Sequence, residues 1–199
     1  KGQCYHGFSR ERNISECTYN PNKPIHVGWD FNVMPQCVCI VQEQEHSPHI
    51  QVIDEIQLDT DGSGDVLTER MCKTIKQKYP NNKYYAYPDA TGASKHSSAR
   101  FSDIEIIRRN GFMVHVRHIN PLVVNRLNSM NNNLSKRNMV IDPRCKNLIR
   151  DFEQVVHKEG TRDIDKTTNK ELTHSSDALG YYVDFKWPTV KPSLGTSER

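Results

Sequence analysis

The segment IHVGWDF at residues 25–31 is followed closely by CVCIVQ at 37–42 and by HIQVIDEIQL at 49–58. All three segments are rich in β-branched residues and are separated by short turn-forming stretches, which is typical of neighbouring β-strands. We therefore expect an antiparallel three-stranded meander, in which the first strand ends in a carboxylate, Asp30.

Helices and strands alternate in the rest of the chain. Apolar residues at helical spacing, together with start and stop residues, predict five helices, at 66–79, 97–109, 120–133, 142–156 and 178–185. Asp142 and Pro143 are expected to begin the fourth of these as N-cap and first residue. Two more strands are predicted, at 84–87 and 112–116. This order is typical of an α/β fold, here a mixed five-stranded sheet with helices on both faces.

Composition limits the class of protein. The chain has 199 residues, 27 Lys and Arg against 24 Asp and Glu, and a mean hydropathy of −0.76. This length predicts one domain, and a net charge of +3 does not by itself demand a polyanionic partner. No apolar run reaches the ~18 residues of a membrane helix, so we expect a soluble chain without a membrane partner.

The two ends of the chain differ from its centre. Residues 1–24 are rich in Asn, Ser, Arg and Pro without sustained periodicity, and we expect a linker there. The domain itself is expected at 25–188 and a loose tail at 189–199. Within the domain, 139–141 is a short apolar piece, and the polar residues 157–172 are expected to form a loop or an exposed hairpin.

Three aspartates stand at predicted element boundaries. Asp30 ends the first strand, Asp89 follows the fourth strand in YAYPDATG, and Asp177 begins the last helix. A right-handed crossover would place the fourth strand parallel to the first, so that Asp30 and Asp89 lie side by side at one sheet edge. Carboxylates that close together repel, and a hard cation such as Mg²⁺ or Mn²⁺ is their natural partner. Taken singly, each aspartate has an ordinary role in a turn or at a helix start.

Other side chains compete for a metal-binding role. Glu55 on the third strand and Glu69 in the first helix are candidates to join the aspartate site. A zinc site is a weaker alternative because it lacks a second paired motif, and its ligands would be Cys37, Cys39, His46 and His49. The stretch 59–65 resembles a calcium loop but has no glutamate at the twelfth position of that loop, so we interpret it as a turn.

Several motifs together resemble a known family. These are VGWDF, VIDEIQL and YAYPDATG, followed by DPRCKNLIRDFEQVVHKEG and LTHSSDALGYYV. The combination covers about residues 25–185 and is similar to the nuclease domain of the large terminase subunit of tailed bacteriophages. The resemblance implies a ribonuclease H-like fold and a metal-dependent endonuclease that cuts concatemeric viral DNA at the start and end of packaging. The acidic triad of that family would be Asp30, Asp89 and Asp177.

The resemblance also implies partners and one more site residue. His174 matches a histidine of some family members and is a candidate for proton handling beside the metal site. The alternative interpretation is an ordinary surface residue next to the helix cap. The segment YHGFSRERN is similar to the joint after the ATPase domain of the family. No G-x-x-x-x-G-K-[ST] motif is present, so that ATPase domain is expected to be absent. The small terminase subunit and the portal are implied partners, and the host cytoplasm is the implied location. The six cysteines, which contain no C-x-x-C pair, suit the reducing conditions there.

Hydrolysis of a phosphodiester needs an activated water and stabilisation of the negative charge on oxygen, which two metal ions held by carboxylates supply. We expect Asp30 to bridge two ions of Mg²⁺ or Mn²⁺, with Asp89 on one ion and Asp177 on the other. Double-stranded DNA is expected to be held through its backbone. The candidate contacts, each of which is also an ordinary surface residue when taken singly, are Lys95, Arg100, Arg108, Arg109, Lys158, Arg162, Lys166 and Lys170.

Three other functions stay open at this point. A Holliday-junction resolvase or an integrase-type enzyme would use the same fold and metals and would differ in substrate geometry. A DNA-binding module with a silent site would bind DNA without metal-dependent cleavage. A sugar hydrolase with paired carboxylates is a weaker alternative, because the strand-end acids lack the aromatic platform that a sugar site usually has.

Overall fold

A single mixed β-sheet runs through the part of the chain that the computed structural model describes, residues 2–32, 34–94 and 100–190. Its strands are Ile25–Asp30 (β1), Gln36–Glu43 (β2), Ile50–Leu58 (β3), Tyr84–Pro88 (β4), Met113–Val114 (β5) and Met139–Ile141 (β6). They lie in the order β5, β4, β1, β2, β3, β6. The mixed α/β sheet is therefore confirmed, but it has six strands where the sequence predicts five.

The first three strands form the predicted antiparallel meander, and β4 lies parallel to β1 on its other side. The additional strand is β6, which the sequence analysis treats only as a short apolar piece. It pairs in parallel with residues 50–52 of β3. Three residues are too few for a periodic pattern, so only the free edge of β3 makes this segment a strand.

Helices flank the sheet, and within the described residues they are Arg10–Asn13 (α1), Leu67–Lys78 (α2), Asp103–Arg109 (α3), Val123–Ser135 (α4), Lys146–Gln154 (α5) and His174–Lys186 (α6). None of these helices is long and apolar enough to span a membrane. One turn of 3-10 helix, Ala90–Ala93, follows β4. Of the predicted tail, residues 191–199 lie outside the described part.

The start of α5 differs from the prediction. The helix begins at Lys146, not at Asp142. The Asp142 carboxylate instead accepts hydrogen bonds from the backbone N–H groups of Cys17, at 2.9 Å, and of Arg144, at 3.0 Å. Asp142 therefore stabilises a turn and anchors the N-terminal segment, because its acceptors are used before the helix begins.

Three other helix starts shift by three residues or more. Helix α4 begins at Val123 and not at residue 120. The N-cap of α3 is Ser102, which forms a capping box, so this helix begins later than residue 97; residues 97–99 lie outside the described part. Helix α6 begins at His174, after Thr173 in the left-handed conformation with a φ of 82°. Asp177 consequently lies in the first turn of α6 and does not cap it.

Helices cover both faces of the sheet, as predicted. Helices α2 and α3 pack on the face that Val27 and Trp29 of β1 contribute to. Helices α4, α5 and α6 pack on the opposite face. Side chains alternate along a strand, so Asp30 belongs to the face that α6 covers.

The first residues of the segment before β1 pack on the same face as α6, whereas Cys17 packs on the opposite face. Cys4 and Tyr5 are buried in the apolar cluster that α4, α5 and α6 form. The Asn13 side chain donates to the carbonyls of Leu134 and Met139 at 2.9 and 3.1 Å. This segment thus contributes to the core, while the expected division into a lead-in and a nuclease domain stays a prediction.

Helix α6 and strand β1 are in direct backbone contact. A Cβ atom at Gly28 would overlap the carbonyl group of Ala178, so this approach requires glycine. The contact lies next to Asp30 on the strand and next to Asp177 on the helix. It therefore determines how closely these two carboxylates approach.

We expect Gly28→Ala to lower the free energy of unfolding by about 2–3 kcal/mol, because the added methyl group forces α6 away from β1. Urea denaturation followed by circular dichroism measures the change. Gly2→Ala is the matched control, since a Cβ there meets only the His157 ring, at an ordinary 3.8 Å. Equal stability of the two variants would contradict the described packing.

Candidate active site

The ends of β1 and β4 bring Asp30 and Asp89 together. The two strands are parallel, and Trp29 is in register with Pro88, so the aspartates follow side by side. The backbone N–H of Asp89 donates to the Trp29 carbonyl at 3.0 Å. Asp177 reaches the same edge from the first turn of α6, which packs on β1. Three carboxylates thus converge at one edge of the sheet.

Asp30 and Asp177 are both buried, and the pKa of Asp30 is affected by the charges of the other two acids. The Asp30 side chain is 8% exposed, and burial raises its pKa above the usual range. The neighbouring His174 lowers the pKa, whereas the negative charges of Asp177 and Asp89 raise it further. The three carboxylates therefore form one cluster with excess negative charge, which a bound cation would relieve.

His174 lies beside Asp30, with Nδ1 3.8 Å from a carboxylate oxygen. Nε2 donates to the Lys170 carbonyl at 3.1 Å, and in the neutral ring Nδ1 accepts from the Asn32 amide at 2.7 Å. The same amide group donates to Asp30 at 3.1 Å. The Asp30 carboxylate raises the pKa of His174 and so favours the protonated ring. The predicted histidine is therefore part of the cluster, together with Asn32, which the sequence analysis does not single out.

Asp89 is oriented by a turn and by a second asparagine. Its Oδ1 accepts from the backbone N–H of Thr91 at 2.9 Å and from the Asn120 side chain at 2.6 Å. Asn120 in turn accepts from the backbone N–H of Ala90 at 2.8 Å. Asn120 is not among the predicted site residues, because the sequence predicts it as the first residue of a helix. The helix begins only at Val123, and Asn120 lies in the irregular segment before it.

Two cations bind the Asp177 carboxylate. Arg126 of α4 donates through Nη2 to Oδ1 at 2.7 Å, and Lys166 donates through Nζ to Oδ2 at 2.7 Å. The Arg126 side chain is 7% exposed and its guanidinium carbon lies 4.8 Å from the centroid of the Tyr181 ring, whereas the Lys166 side chain is 54% exposed. Burial lowers the pKa of Arg126, but the Asp177 carboxylate raises it and the net shift is upward. Arg126 is therefore a permanently charged partner of Asp177.

Arg126 is a further site residue that was not predicted, although its position in the sequence carries a signal. Arg126 precedes Met130 and Leu134 at intervals of four residues, so it stands on the apolar stripe of α4. A charged residue at such a position is buried when the helix packs, and it needs an anion as its partner. The position within the stripe is thus the pattern that could have identified it.

Another buried acid fixes the start of α6. Asp151 of α5 accepts from the backbone N–H groups of Thr173, at 3.1 Å, and of Ser176, at 2.9 Å. These are N–H groups that a helix start leaves without a partner inside the helix. Burial raises the pKa of Asp151 to about 6, although these hydrogen bonds act in the opposite direction. Since Asp177 follows directly, Asp151 positions the cluster.

The two glutamates considered as additional ligands have structural partners. Glu55 accepts from the backbone N–H groups of Asn147 and Leu148, at 2.7 and 2.9 Å, at the start of α5. Glu69 accepts from the Asn110 side chain at 3.1 Å, at the end of α3. Glu69 therefore lies with α2 and α3, on the other side of the sheet from α6.

The alternative zinc ligands do not come together. Cys37 and Cys39 are fully buried, and the His49 ring bonds to the Gln44 carbonyl and stacks on Trp187. Across residues 2–32, 34–94 and 100–190, no group of three or more His, Cys, Asp or Glu side chains is arranged as a metal cluster. The three converging aspartates are bonded to amide, guanidinium and ammonium groups. Their donor set of carboxylate oxygens is nevertheless the one that Mg²⁺ and Mn²⁺ prefer, so its chemistry fits such an ion.

The candidate DNA contacts before α4 lie around α3. Arg109 and Arg100 lie 3.8 and 5.2 Å from the centroid of the Phe101 ring. Arg108 and Arg109 end α3, which packs on the face opposite α6. Lys95 lies outside the described residues. The structure does not bring Arg108 and Arg109 to the face that Asp177 occupies.

The candidate contacts after α5 lie in the 157–172 segment, which connects α5 to α6. Its first half is closed by an antiparallel bridge between His157 and Ile164. Four basic residues of this segment are exposed, Lys158, Arg162, Lys166 and Lys170. Two of them reach the cluster, Lys166 through its side chain to Asp177 and Lys170 through its carbonyl to His174.

No protein-family model and no curated protein matches the sequence. Solved structures do share its architecture. The large terminase of a thermophilic bacteriophage superposes with a TM-score of 0.72 at 15% identity, over 92% of this chain and 45% of that protein. The P22 large terminase nuclease domain superposes with a TM-score of 0.69 at 12% identity, over 94% of each chain. The chain has the fold of a large terminase nuclease domain.

A third structure of this terminase nuclease fold comes from bacteriophage SPP1. That domain, with bound Mn, superposes with a TM-score of 0.53 at 19% identity, over 89% of this chain and 95% of that one. The chain spans a little less than half the length of the thermophilic phage's large terminase, but nearly all of the P22 and SPP1 domains. The ribonuclease H-like fold that the sequence motifs imply is thus confirmed.

In this terminase nuclease fold, we expect Arg126→Met to lower the free energy of unfolding by about 3 kcal/mol at neutral pH, because the buried Asp177 loses its buried partner. Adding Asp177→Asn should recover part of this loss, since an amide needs no counter-ion. Urea unfolding of the wild type, the two single variants and the double variant gives a double-mutant cycle, which measures the coupling energy between the two side chains. Strictly additive effects would argue against the ion pair.

Proposed function

We propose that this chain is the metal-dependent endonuclease domain of a phage large terminase, which cuts concatemeric double-stranded viral DNA at the initiation and termination of genome packaging. The observation that carries the proposal is the convergence of Asp30, Asp89 and Asp177 in a fold shared with terminase nuclease domains. The bound Mn of the SPP1 domain supports the choice of a divalent cation.

The proposed cofactor is Mg²⁺ or Mn²⁺, bound by the three aspartates. When bound as a pair of ions, it supplies an activated water and stabilises negative charge on the phosphate oxygens. We assign Asp30, the central carboxylate, to both ions, and Asp89 and Asp177 to one ion each. Burial and, in addition, the negative charges of Asp177 and Asp89 raise the pKa of Asp30, and the second cause supports this assignment, because a bound cation would offset those charges.

The chain's own residues prepare the site. Asn32 orients Asp30 and Asn120 orients Asp89, while Arg126 keeps Asp177 from rotating away. These contacts leave the carboxylates in fixed directions before substrate binds, which reduces the reorganisation needed for reaction. His174 is proposed to hold a proton next to Asp30, at the ring nitrogen that faces the carboxylate.

Double-stranded DNA is the proposed substrate, held through its phosphates. The 157–172 segment supports this proposal, because it presents basic side chains on the same side of the sheet as α6, namely Lys158, Arg162, Lys166 and Lys170. Arg100, Arg108 and Arg109, around α3, are further proposed contacts. Lys95, which lies outside the described residues, is proposed from the sequence alone. Contacts to phosphates carry no direct sequence information, which suits cutting at many sequences.

The remaining partners are proposed from the family. They are the terminase ATPase domain, the small terminase subunit and the portal, with the host cytoplasm as the location. This proposal is supported by the similarity to the large terminase of the thermophilic bacteriophage, because this chain spans only part of the length of that protein.

Cleavage of supercoiled plasmid DNA in Mg²⁺, Mn²⁺ or EDTA tests the proposed activity. We expect cutting with either metal, none in EDTA, and at least about a hundredfold loss of rate in Asp30→Asn, because a neutral amide is a poor ligand for the ions. Asp59→Asn is the matched control, since this substitution removes the same charge at an exposed position after β3.

The choice of substrate separates the alternatives. Faster cutting of four-way junctions than of linear duplex would indicate a resolvase, and joining of cut ends to a second duplex would indicate an integrase-type enzyme. Tight DNA binding without cutting in any metal, unchanged in Asp30→Asn, would indicate a silent binding module and overturn the proposed activity.

A further inference from the structure

The two cations on Asp177 differ in the properties that decide whether an ion pair can be exchanged. Arg126 is buried, lies against Tyr181 and packs on Gly180, where even an added methyl group would collide with its side chain. Lys166 has about half of its side chain in solvent and contacts Asp177 through Nζ. Exposed pairs of this second kind are weak, because water competes for both charges.

We propose that Lys166 is a resident cation that is exchanged for the divalent metal ion, whereas Arg126 is a permanent positioning residue. This inference rests on the proposed function, since it concerns the same site. The Lys166 ammonium lies 2.7 Å from Oδ2 of Asp177, the carboxylate oxygen that Arg126 leaves free. A divalent ion bound to that oxygen would lie within a few ångströms of the ammonium group and repel it. Lys166 therefore has to leave when the ion binds.

The charge of the cluster explains why such a residue is present. Asp30, Asp89 and Asp177 meet at one edge of the sheet, and carboxylates gathered this closely repel one another. Arg126 neutralises one of them permanently. Lys166 adds a second positive charge, on the other oxygen of the same Asp177 carboxylate, only until a metal ion replaces it. The cluster is thus stabilised without metal and still retains an oxygen ligand for it.

The exchange needs only a side-chain movement. Asp165 accepts hydrogen bonds from the backbone and hydroxyl groups of Thr167 and Thr168, and its own N–H donates to the Val156 carbonyl. These contacts fix the backbone on both sides of Lys166. The flexible four-carbon side chain can then turn outward alone. Once released, its ammonium group is available to a DNA phosphate, so one residue serves the metal-free site first and the substrate afterwards.

Titration calorimetry of Mn²⁺ into the DNA-free protein tests the exchange. We expect Lys166→Met to bind Mn²⁺ about two- to fivefold more tightly than the wild type, because the ion no longer competes with an ion pair. Lys158→Met is the matched control; it removes the same charge from the same segment, and Lys158 hydrogen bonds through its backbone to Asp163 and Thr161. An equal gain in Mn²⁺ affinity in both variants would show that the gain comes from the lower net charge of the protein, and it would overturn the exchange.

Arg126 should give the opposite result. Arg126→Lys keeps the charge but loses the planar group that fixes Oδ1, and we expect roughly tenfold weaker Mn²⁺ binding in a protein whose circular dichroism is unchanged. Unchanged Mn²⁺ affinity in this variant would overturn the positioning role.

Lysine acetylation, quantified by mass spectrometry with and without Mn²⁺, gives a readout that does not depend on affinity. We expect Mn²⁺ to increase the acetylation of Lys166 relative to that of Lys158. Measurable Mn²⁺ binding with unchanged acetylation of Lys166 would overturn the exchange and leave the proposed nuclease function standing. Absence of Mn²⁺ binding in both the wild type and Lys166→Met would overturn the metal site, and the exchange with it.

Discussion

The backbone contact between Gly28 and α6 is the constraint on which the rest of the site depends. Pairing of β1 with β4 is enough to align Asp30 and Asp89, because parallel strands end at the same edge. Asp177 joins them only because a residue without a side chain lets the helix backbone touch the strand. Asp151 completes this arrangement by satisfying the N–H groups at the start of α6, so the helix is fixed both along and across the sheet.

The kinds of partner that the three acids have are as important as their positions. Asp30 and Asp89 are oriented by the neutral amides of Asn32 and Asn120, which leave their negative charge uncompensated. Asp177 is paired with the two cations Arg126 and Lys166, and Asp30 has His174 3.8 Å away. Had arginine oriented all three acids, the edge would be neutral and would have little attraction for a metal ion. Amide partners therefore give rigidity without loss of electrostatic potential.

Local patterns explain which features were predictable. The meander, the parallel fourth strand and the helices on both faces follow from periodicity and crossover handedness, and the three acids stand at predicted element boundaries. His174 is a candidate only through the family resemblance, because the helix it begins is predicted to start at residue 178. Features that depend on distant partners were not predictable. Asp142 forms a turn because it bonds to Cys17, 125 residues away, and β6 is a strand because β3 has a free edge. Asn120 and Arg126 acquire their roles from aspartates that are 31 and 51 residues away.

The position of α6 in the chain has a consequence for the time at which the site is completed. Asn32 and His174, which meet beside Asp30, are 142 residues apart, so the ribosome has synthesised nearly the whole domain before this contact can form. Contacts this distant in sequence also form late, because closing so long a loop is entropically costly. A nascent chain that already contains the meander therefore lacks the last carboxylate, and under the proposed function it would not yet be able to cut DNA.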